Sequence, residues 1–159
     1  MNGQQNFYFH SAIEQLKETL KADFIGLALV DFSKYRHELK WRYVTGNLSL
    51  SYRRIVLTSG KGIAGLVFKT GKPMMVNDVS EHVEAKDLYN YPILIFEKLK
   101  SFGAIPLFQE DHVQGVLLVG YRESKKMTTE RFEHFKQAVG SQFGPFYHKE
   151  RMKDDIIEQ

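Results

Sequence analysis

The sequence predicts an α+β fold in which an antiparallel sheet is packed against a helix from each end of the chain. Apolar residues recur at helical spacing near both ends, at 6–21 and after 128. Between them lie two pairs of strand-like runs, each joined by a short polar turn as in a β-hairpin. The 159 residues are enough for one domain with its own core. We expect a single domain over 1–159, with a core at about 6–148 and a C-terminal helical tail at 149–159.

The first hairpin follows the N-terminal helix. The apolar run 24–32 predicts a buried strand, and 38–45 predicts a half-buried strand because apolar and polar residues alternate. In that alternation Leu39, Trp41 and Tyr43 share one face. The apolar positions of the preceding helix are Phe9, Ile13, Leu16 and Leu20.

The middle of the chain, 53–79, contains a glycine-rich turn that leads into a short helix. A strand-like run at 55–57 precedes the turn, the helix is predicted over 63–70, and a short strand follows at 74–76. The first N–H groups of a helix have no partner within the helix. Directed at a cavity, such groups can bind a small anion.

Short elements continue to the second hairpin. Residues 77–90 predict a loop with one helical turn, and Pro92 is suited to begin a short helix over 93–100. Strands are predicted at 101–108 and 112–121. Thr128 or Thr129 would then cap a last helix, which Gly144-Pro145 should bend or interrupt. Its apolar stripe is Phe132, Phe135, Val139, Phe143 and Phe146.

Composition excludes several kinds of chemistry. The chain has no cysteine, so disulfides, thiolate metal sites and thiol nucleophiles are excluded. The six histidines lack metal-ligand spacing, and we expect no metal. The net charge is +3 with Lys and Arg spread among acids, so we expect no nucleic-acid partner. The sequence shows neither a secretory signal nor a membrane span, which predicts a cytoplasmic protein without membrane contact.

The order of elements, together with SGKGIAGLVFKTGKP followed by NDV, resembles the GAF domain. The resemblance covers essentially the whole chain. It implies an antiparallel sheet of five or six strands, with N- and C-terminal helices on one face and a ligand pocket on the other.

Four segments are similar to the stand-alone GAF nitrate receptors, which work beside a sensor histidine kinase in nitrate and oxygen regulation. They are KWRYVTGN, RIVLTSGKGIAGLVFKTGK, YPI with a following Glu, and KSFGAIPL. In that family a tryptophan and main-chain N–H groups at two helix starts hold nitrate. The resemblance implies Trp41, Ile63, Ala64 and Ile93 as the nitrate ligands. Expected pocket walls are Tyr91, Pro92, Leu66, Val67, Phe96, Leu99 and Ile105.

These groups suit a small planar monoanion. Each helix start offers about half a positive charge, so two converging starts match a single negative charge. The indole N–H of Trp41 donates a hydrogen bond and neither accepts one nor titrates. We expect no cofactor besides the ligand nitrate and no metal site.

The function that the resemblance implies is a non-enzymatic nitrate sensor that modulates a partner sensor histidine kinase. Free methionine sulfoxide reductases share a similar domain but need catalytic cysteines. Two alternatives stay open: a GAF module for a nucleotide or another small ligand, and a ligand-free dimerisation domain. We expect a homodimer through the terminal helices and a kinase contact on the loop 78–90. The dimer residues would be Phe9, Ile13, Phe135 and Phe143.

Overall fold

One antiparallel sheet organises the part of the chain that the computed structural model describes, residues 7–33 and 35–148. Its strands run in the order β2-β1-β5-β4-β7-β6, and β3 pairs with β4 beside this path. The strands are β1 (Phe24–Asp31), β2 (Glu38–Thr45), β3 (Met74–Val76), β4 (Ser101–Gln109), β5 (His112–Tyr121), β6 (Gln142–Phe143) and β7 (Phe146–Tyr147).

Helices cover both faces of this sheet. The helices are α1 (Phe9–Leu20), α2 (Gly62–Thr70), α3 (Val79–His82), α4 (Pro92–Phe96) and α5 (Thr129–Val139), with 3₁₀ turns at Ser51–Arg54 and Ala85–Asn90. The buried residues of α1 and α5 form one core with one face of the sheet, which we call the terminal-helix layer. The buried residues of α2 and α4 form a second core on the other face, which we call the short-helix layer. The predicted α+β class and the common face of the terminal helices are confirmed.

Strand β2 contains a β-bulge that the sequence pattern did not predict. Leu27 lies opposite Tyr43, whereas the next residue, Ala28, lies opposite Trp41, so Arg42 is the extra residue. A bulge reverses the side-chain alternation beyond it. The prediction that Tyr43 shares a face with Trp41 is therefore wrong. Tyr43 packs in the terminal-helix layer and Val44 joins Trp41 in the short-helix layer.

The last helix is shorter than its apolar stripe predicts. It ends at Val139, and Gly140 follows with a φ of 80°. The chain then forms the hairpin β6–β7, in which Phe143 lies opposite Phe146. Both rings still reach the terminal-helix layer, so the stripe predicted burial correctly but not the backbone. This hairpin brings the sheet to seven strands instead of five or six. The predicted tail 149–159 lies outside the described residues.

The predicted length of helix α4 needs correction. The helix ends at Phe96 rather than near residue 100, because Lys98 takes a left-handed conformation with a φ of 54°.

The side chains expected at a dimer interface differ in burial. Ile13 and Phe135 are fully buried within the chain's own core and Phe143 is 5% exposed, whereas Phe9 is half-buried against that core. The homodimer itself stays a prediction.

The two-layer core makes a testable distinction between two isoleucines. Ile105 is 1% exposed in the terminal-helix layer, whereas Ile95 on α4 is 43% exposed. We expect Ile105→Ala to lower the free energy of unfolding by about 2–5 kcal/mol, as for other large-to-small core changes. Ile95→Ala is the matched control, expected to change it by less than about 1 kcal/mol. Urea denaturation measures both, and equal losses would contradict the assignment of Ile105 to the core.

Candidate functional site

The glycine-rich turn folds back against the first turn of α2. Gly60 and Gly62 have φ values of 85° and 67°, a region that favours glycine. The Gly60 N–H donates to the Gly65 carbonyl at 2.8 Å. A Cβ on Gly65 would lie 2.3 Å from the Thr58 carbonyl oxygen, so only glycine allows this approach. The turn thereby fixes the direction in which α2 begins.

The start of α2 presents backbone donors in a buried place. No side chain caps the helix. The N–H groups of Ile63 and Ala64 belong to its first turn, where a helix has no internal partner for them. Ile63 is 1% exposed and Ala64 is fully buried, within the short-helix layer. This is the positively polarised end of the helix, buried among apolar side chains.

Trp41 brings an unpaired donor to the same layer. It lies on β2, is 4% exposed, and packs in one buried cluster with Ile63, Ala64 and Ile93. Its indole Nε1–H is buried and has no hydrogen-bond partner among the described residues. Leaving such a group unpaired costs about 1–3 kcal/mol, so the site is suited to a ligand that accepts a hydrogen bond. Gly26 makes room for the ring, since a Cβ there would lie 2.9 Å from Trp41 Cε3.

Helix α4 supplies the second helix start. Pro92 occupies its first turn, no side chain caps it, and the Leu94 N–H donates to the Tyr91 carbonyl at 2.9 Å. Ile93 lies between Pro92 and Leu94 in the chain and is 2% exposed. The structure thus brings the four residues of the expected anion site into one buried layer, from three elements far apart in sequence.

The expected wall residues divide between the layers. Val67 and Leu99 are buried in the short-helix layer, and Tyr91 and Phe96 pack against it. Leu66 and Pro92 are half-buried. Ile105 is a correction: it lies in the terminal-helix layer, because neighbouring residues of a strand point to opposite faces. The β4 residue that faces the short-helix layer at this height is Ala104.

A buried ion pair beside α4 was missed by the sequence analysis. Glu97, directly after α4, is fully buried, and its Oε1 accepts from Arg122 Nη2 and from the Leu48 N–H, each at 2.8 Å. Its Oε2 has no partner among the described residues. Burial raises the pKa of the Glu97 carboxyl, against the opposing effects of the Leu48 N–H and the Arg122 guanidinium. In the sequence, the only indication of this pair was Glu97 itself, an acid directly after the apolar residues of α4.

Arg122 connects this carboxylate to three other parts of the chain. Its guanidinium donates to the main-chain carbonyls of Glu97 at 2.8 Å, Gly46 at 2.9 Å and Asp23 at 3.3 Å. These groups lie just beyond α4, just beyond β2 and just before β1. The pair therefore holds the end of α4 against the sheet, and with it the position of the Ile93 N–H.

Charge is distributed less evenly than the composition of the whole chain indicates. Residues 39–77 contain seven Lys and Arg and no Asp or Glu. This stretch includes Trp41 and the start of α2. A local excess of positive charge attracts anions and raises their concentration near the site.

Within 7–33 and 35–148, no group of three His, Asp or Glu could hold a metal ion. In the same ranges, no helix is long and apolar enough to cross a membrane.

The contact between Gly65 and Thr58 yields a prediction. Gly→Ala in an open helix is ordinarily stabilising, but here the new Cβ would meet a backbone oxygen at 2.3 Å. We expect Gly65→Ala to lower the free energy of unfolding by about 1–3 kcal/mol. Lys69→Ala, at an exposed position of the same helix, is the control and should change it by about 0.5 kcal/mol or less. Thermal and urea unfolding measure both changes. A Gly65→Ala protein that is more stable than the parent would contradict the close contact between position 65 and the Thr58 carbonyl oxygen.

The buried Glu97 predicts a specific dependence of stability on pH. Because its pKa is raised above the ordinary value of 4.5, the folded protein holds the proton more tightly than the unfolded chain. The stability from protonated Glu97 is fully present below that value and is lost as the pH rises through the folded pKa. The free energy of unfolding relative to Glu97→Gln should therefore fall as the pH rises above 4.5 and then level off. Urea titrations across this pH range measure the difference between the two proteins. A difference that does not change with pH would contradict the raised pKa of the Glu97 carboxyl.

Comparisons with known proteins agree with this architecture. The family model described as GAF domain matches residues 9–145. A structure of the NreA protein from Staphylococcus aureus, mutated in its nitrate binding site, is 33% identical with a TM-score of 0.72, covering 76% of this chain and 88% of that one. A hypothetical protein from S. aureus is similar at the same identity and TM-score, covering 76% of this chain and 98% of that one.

More distant structures share the fold alone. A type II free methionine-R-sulfoxide reductase from Thermoplasma acidophilum is 17% identical with a TM-score of 0.64, covering 89% of this chain and 93% of that one. The search of curated proteins found no match. The family match over most of the chain, the similarity to NreA and the seven-stranded sheet lead to one conclusion: this chain belongs to the GAF domain family.

Proposed function

We propose that this protein is a nitrate receptor that binds the anion in the short-helix layer. The observation that carries the proposal is the buried, unpaired indole N–H of Trp41, which lies in one cluster with the helix starts at Ile63 and Ile93. The similarity to NreA, a protein with a nitrate binding site, supports it. The ligands would be Trp41 Nε1–H and the N–H groups of Ile63, Ala64 and Ile93.

The chemistry of these donors favours a weakly basic monoanion. All four are neutral, and the buried residues of the cluster around them are apolar. The helix starts contribute partial positive charge, of which the nine-residue α2 supplies the larger share because α4 has only five residues. A dianion such as sulfate would remain under-compensated. Neutral donors permit reversible binding, which a sensor requires.

The same proposal extends to signalling. The receptor would be cytoplasmic and non-enzymatic, and it would modulate a sensor histidine kinase, as its resemblance to the GAF nitrate receptors implies. The absence of cysteine, which excludes thiol catalysis, supports the non-enzymatic role. For nitrate to regulate the kinase, the bound and empty forms must differ in their affinity for it.

A ligand screen separates this function from its alternatives. Thermal unfolding would be followed with nitrate, nitrite, chloride, sulfate and nucleotides. We expect stabilisation by nitrate that is lost in Trp41→Ala and kept in His112→Ala, whose residue is exposed at the start of β5. Stabilisation by a nucleotide with nitrate inert would replace the proposal with the nucleotide alternative. No shift with any ligand would favour the dimerisation domain.

A subtler substitution tests the indole N–H itself. Trp41→Phe keeps an aromatic ring in the cluster but removes the donor. Hydrogen bonds to charged acceptors contribute about 1.5–3 kcal/mol, so nitrate affinity should fall by about 10- to 150-fold. Tyr43→Phe, on the same strand but in the terminal-helix layer, is the matched control and should bind like the parent. Titration calorimetry measures all three proteins, and undiminished affinity in Trp41→Phe would contradict the assigned ligand.

Trp41 also provides an optical readout. It is the only tryptophan of the chain, so intrinsic tryptophan fluorescence reports on the proposed site alone. A saturable change in emission on adding nitrate should give the same dissociation constant as calorimetry.

A further inference from the structure

We propose that the surface beside α4 docks a partner protein through a segment that presents apolar side chains flanked by Asp and Glu. We call this the docking surface. It comprises Leu48, Leu50 and Ile95, with Arg53, Arg54 and Lys98 near them in the chain. The inference depends on the proposed nitrate function for its link to regulation, but not for docking itself.

The apolar part of this surface is exposed. Leu48, Leu50 and Ile95 are 51%, 57% and 43% exposed. They belong to adjoining segments, since the Leu48 N–H donates to Glu97 Oε1 at 2.8 Å and the 3₁₀ turn after Leu50 contacts α4. Scattered exposed leucines are ordinary, but several on neighbouring segments mark an interaction site.

The cations of this surface determine the charge of its partner. Arg53, Arg54 and Lys98 are exposed, and none has a carboxylate partner within the described ranges. Arg53 lies over the ring of Tyr52, at 5.8 Å from its centroid, and its Nε donates to the Tyr52 hydroxyl at 3.4 Å. Both contacts are with a neutral side chain, so the net positive charge of Arg53 remains. Charge complementarity therefore favours a segment rich in Asp and Glu. An apolar centre with a charged rim is typical of protein interfaces and favours a protein over a nucleic acid.

This location couples docking to the proposed anion site. On α4, Ile93 is buried in the short-helix layer, whereas Ile95, two residues later, is exposed on the docking surface. Leu48 is joined to the same helix through Glu97. A shift of α4 on anion binding would move the docking surface with it. The loop 78–90, where a kinase contact was expected from the sequence, carries four acids and would repel an acidic segment.

Site-specific photo-cross-linking tests the proposal with the full chain in its native host. The photoreactive residue p-benzoylphenylalanine would replace Leu50 or Ile95 in separate proteins. Two exposed apolar residues outside the docking surface are matched controls: Val56, 48% exposed, and Tyr89, 73% exposed on the acidic loop. Mass spectrometry then maps the cross-linked segment. Titration calorimetry with nitrate on each protein reports whether the anion site is intact.

The expected result is a cross-link from both test positions to one Asp- and Glu-rich segment of the same protein, and none from the controls. Arg53→Glu with Arg54→Glu should abolish it, and Lys substitutions at the acids of that segment should restore it. Lys69→Glu with Lys72→Glu, from the same basic stretch, should leave it unchanged. Cross-links to nucleic acid, to a second copy, from Val56 or Tyr89, or to nothing would overturn the proposal. Cross-links that form while the unsubstituted protein binds no nitrate in calorimetry would instead overturn the proposed receptor function.

Discussion

The three central strands are apolar on both faces, and the rest of the structure is arranged to cover them. The first five residues of β1 are buried, as are all but the last residue of β4 and the last seven residues of β5. Each face must be shielded from water, because exposed apolar surface costs about 25 cal/mol per Å². The terminal helices cover one face. The long connection from β2 to β4 covers the other face. Its helices are short, and residues between them, such as Ile55 and Leu57, complete the cover.

That second cover explains why the candidate site lies where it does. Short helices have a large proportion of unpaired backbone groups at their ends. When they are packed over an apolar sheet, some of those groups are buried near one another. In this protein they lie in one layer with the indole N–H of Trp41, which β2 contributes from its buried face. An apolar layer with unpaired donors is unfavourable without a ligand, and this deficit can favour binding of an anion.

The Glu97–Arg122 pair holds this arrangement in place. Burying two charges is costly, and such a pair contributes little net stability compared with apolar packing. Its value here is positional, because one guanidinium holds the ends of α4 and β2 and the start of β1 through main-chain carbonyls. The same helix carries a buried residue of the proposed anion site and an exposed residue of the proposed docking surface. A single positioning network therefore lies between the proposed anion site and the proposed docking surface.

The sequence by itself determined the order of the elements up to α5, the two hairpins and the buried apolar stripes of the terminal helices. Those features follow from local periodicity and turn chemistry. Local resemblance also pointed to Trp41, Ile63, Ala64 and Ile93 as a group. Only the tertiary structure decided that these residues share one layer, because they meet across long sequence separations.

The tertiary structure also decided the face of Ile105 and Tyr43, since a single bulge or an unknown register reverses which side of a sheet a residue occupies. The end of α5 and the burial of Glu97 were likewise tertiary outcomes: the phenylalanine spacing suits a helix or a hairpin equally, and a carboxylate is internal only when a distant arginine reaches it.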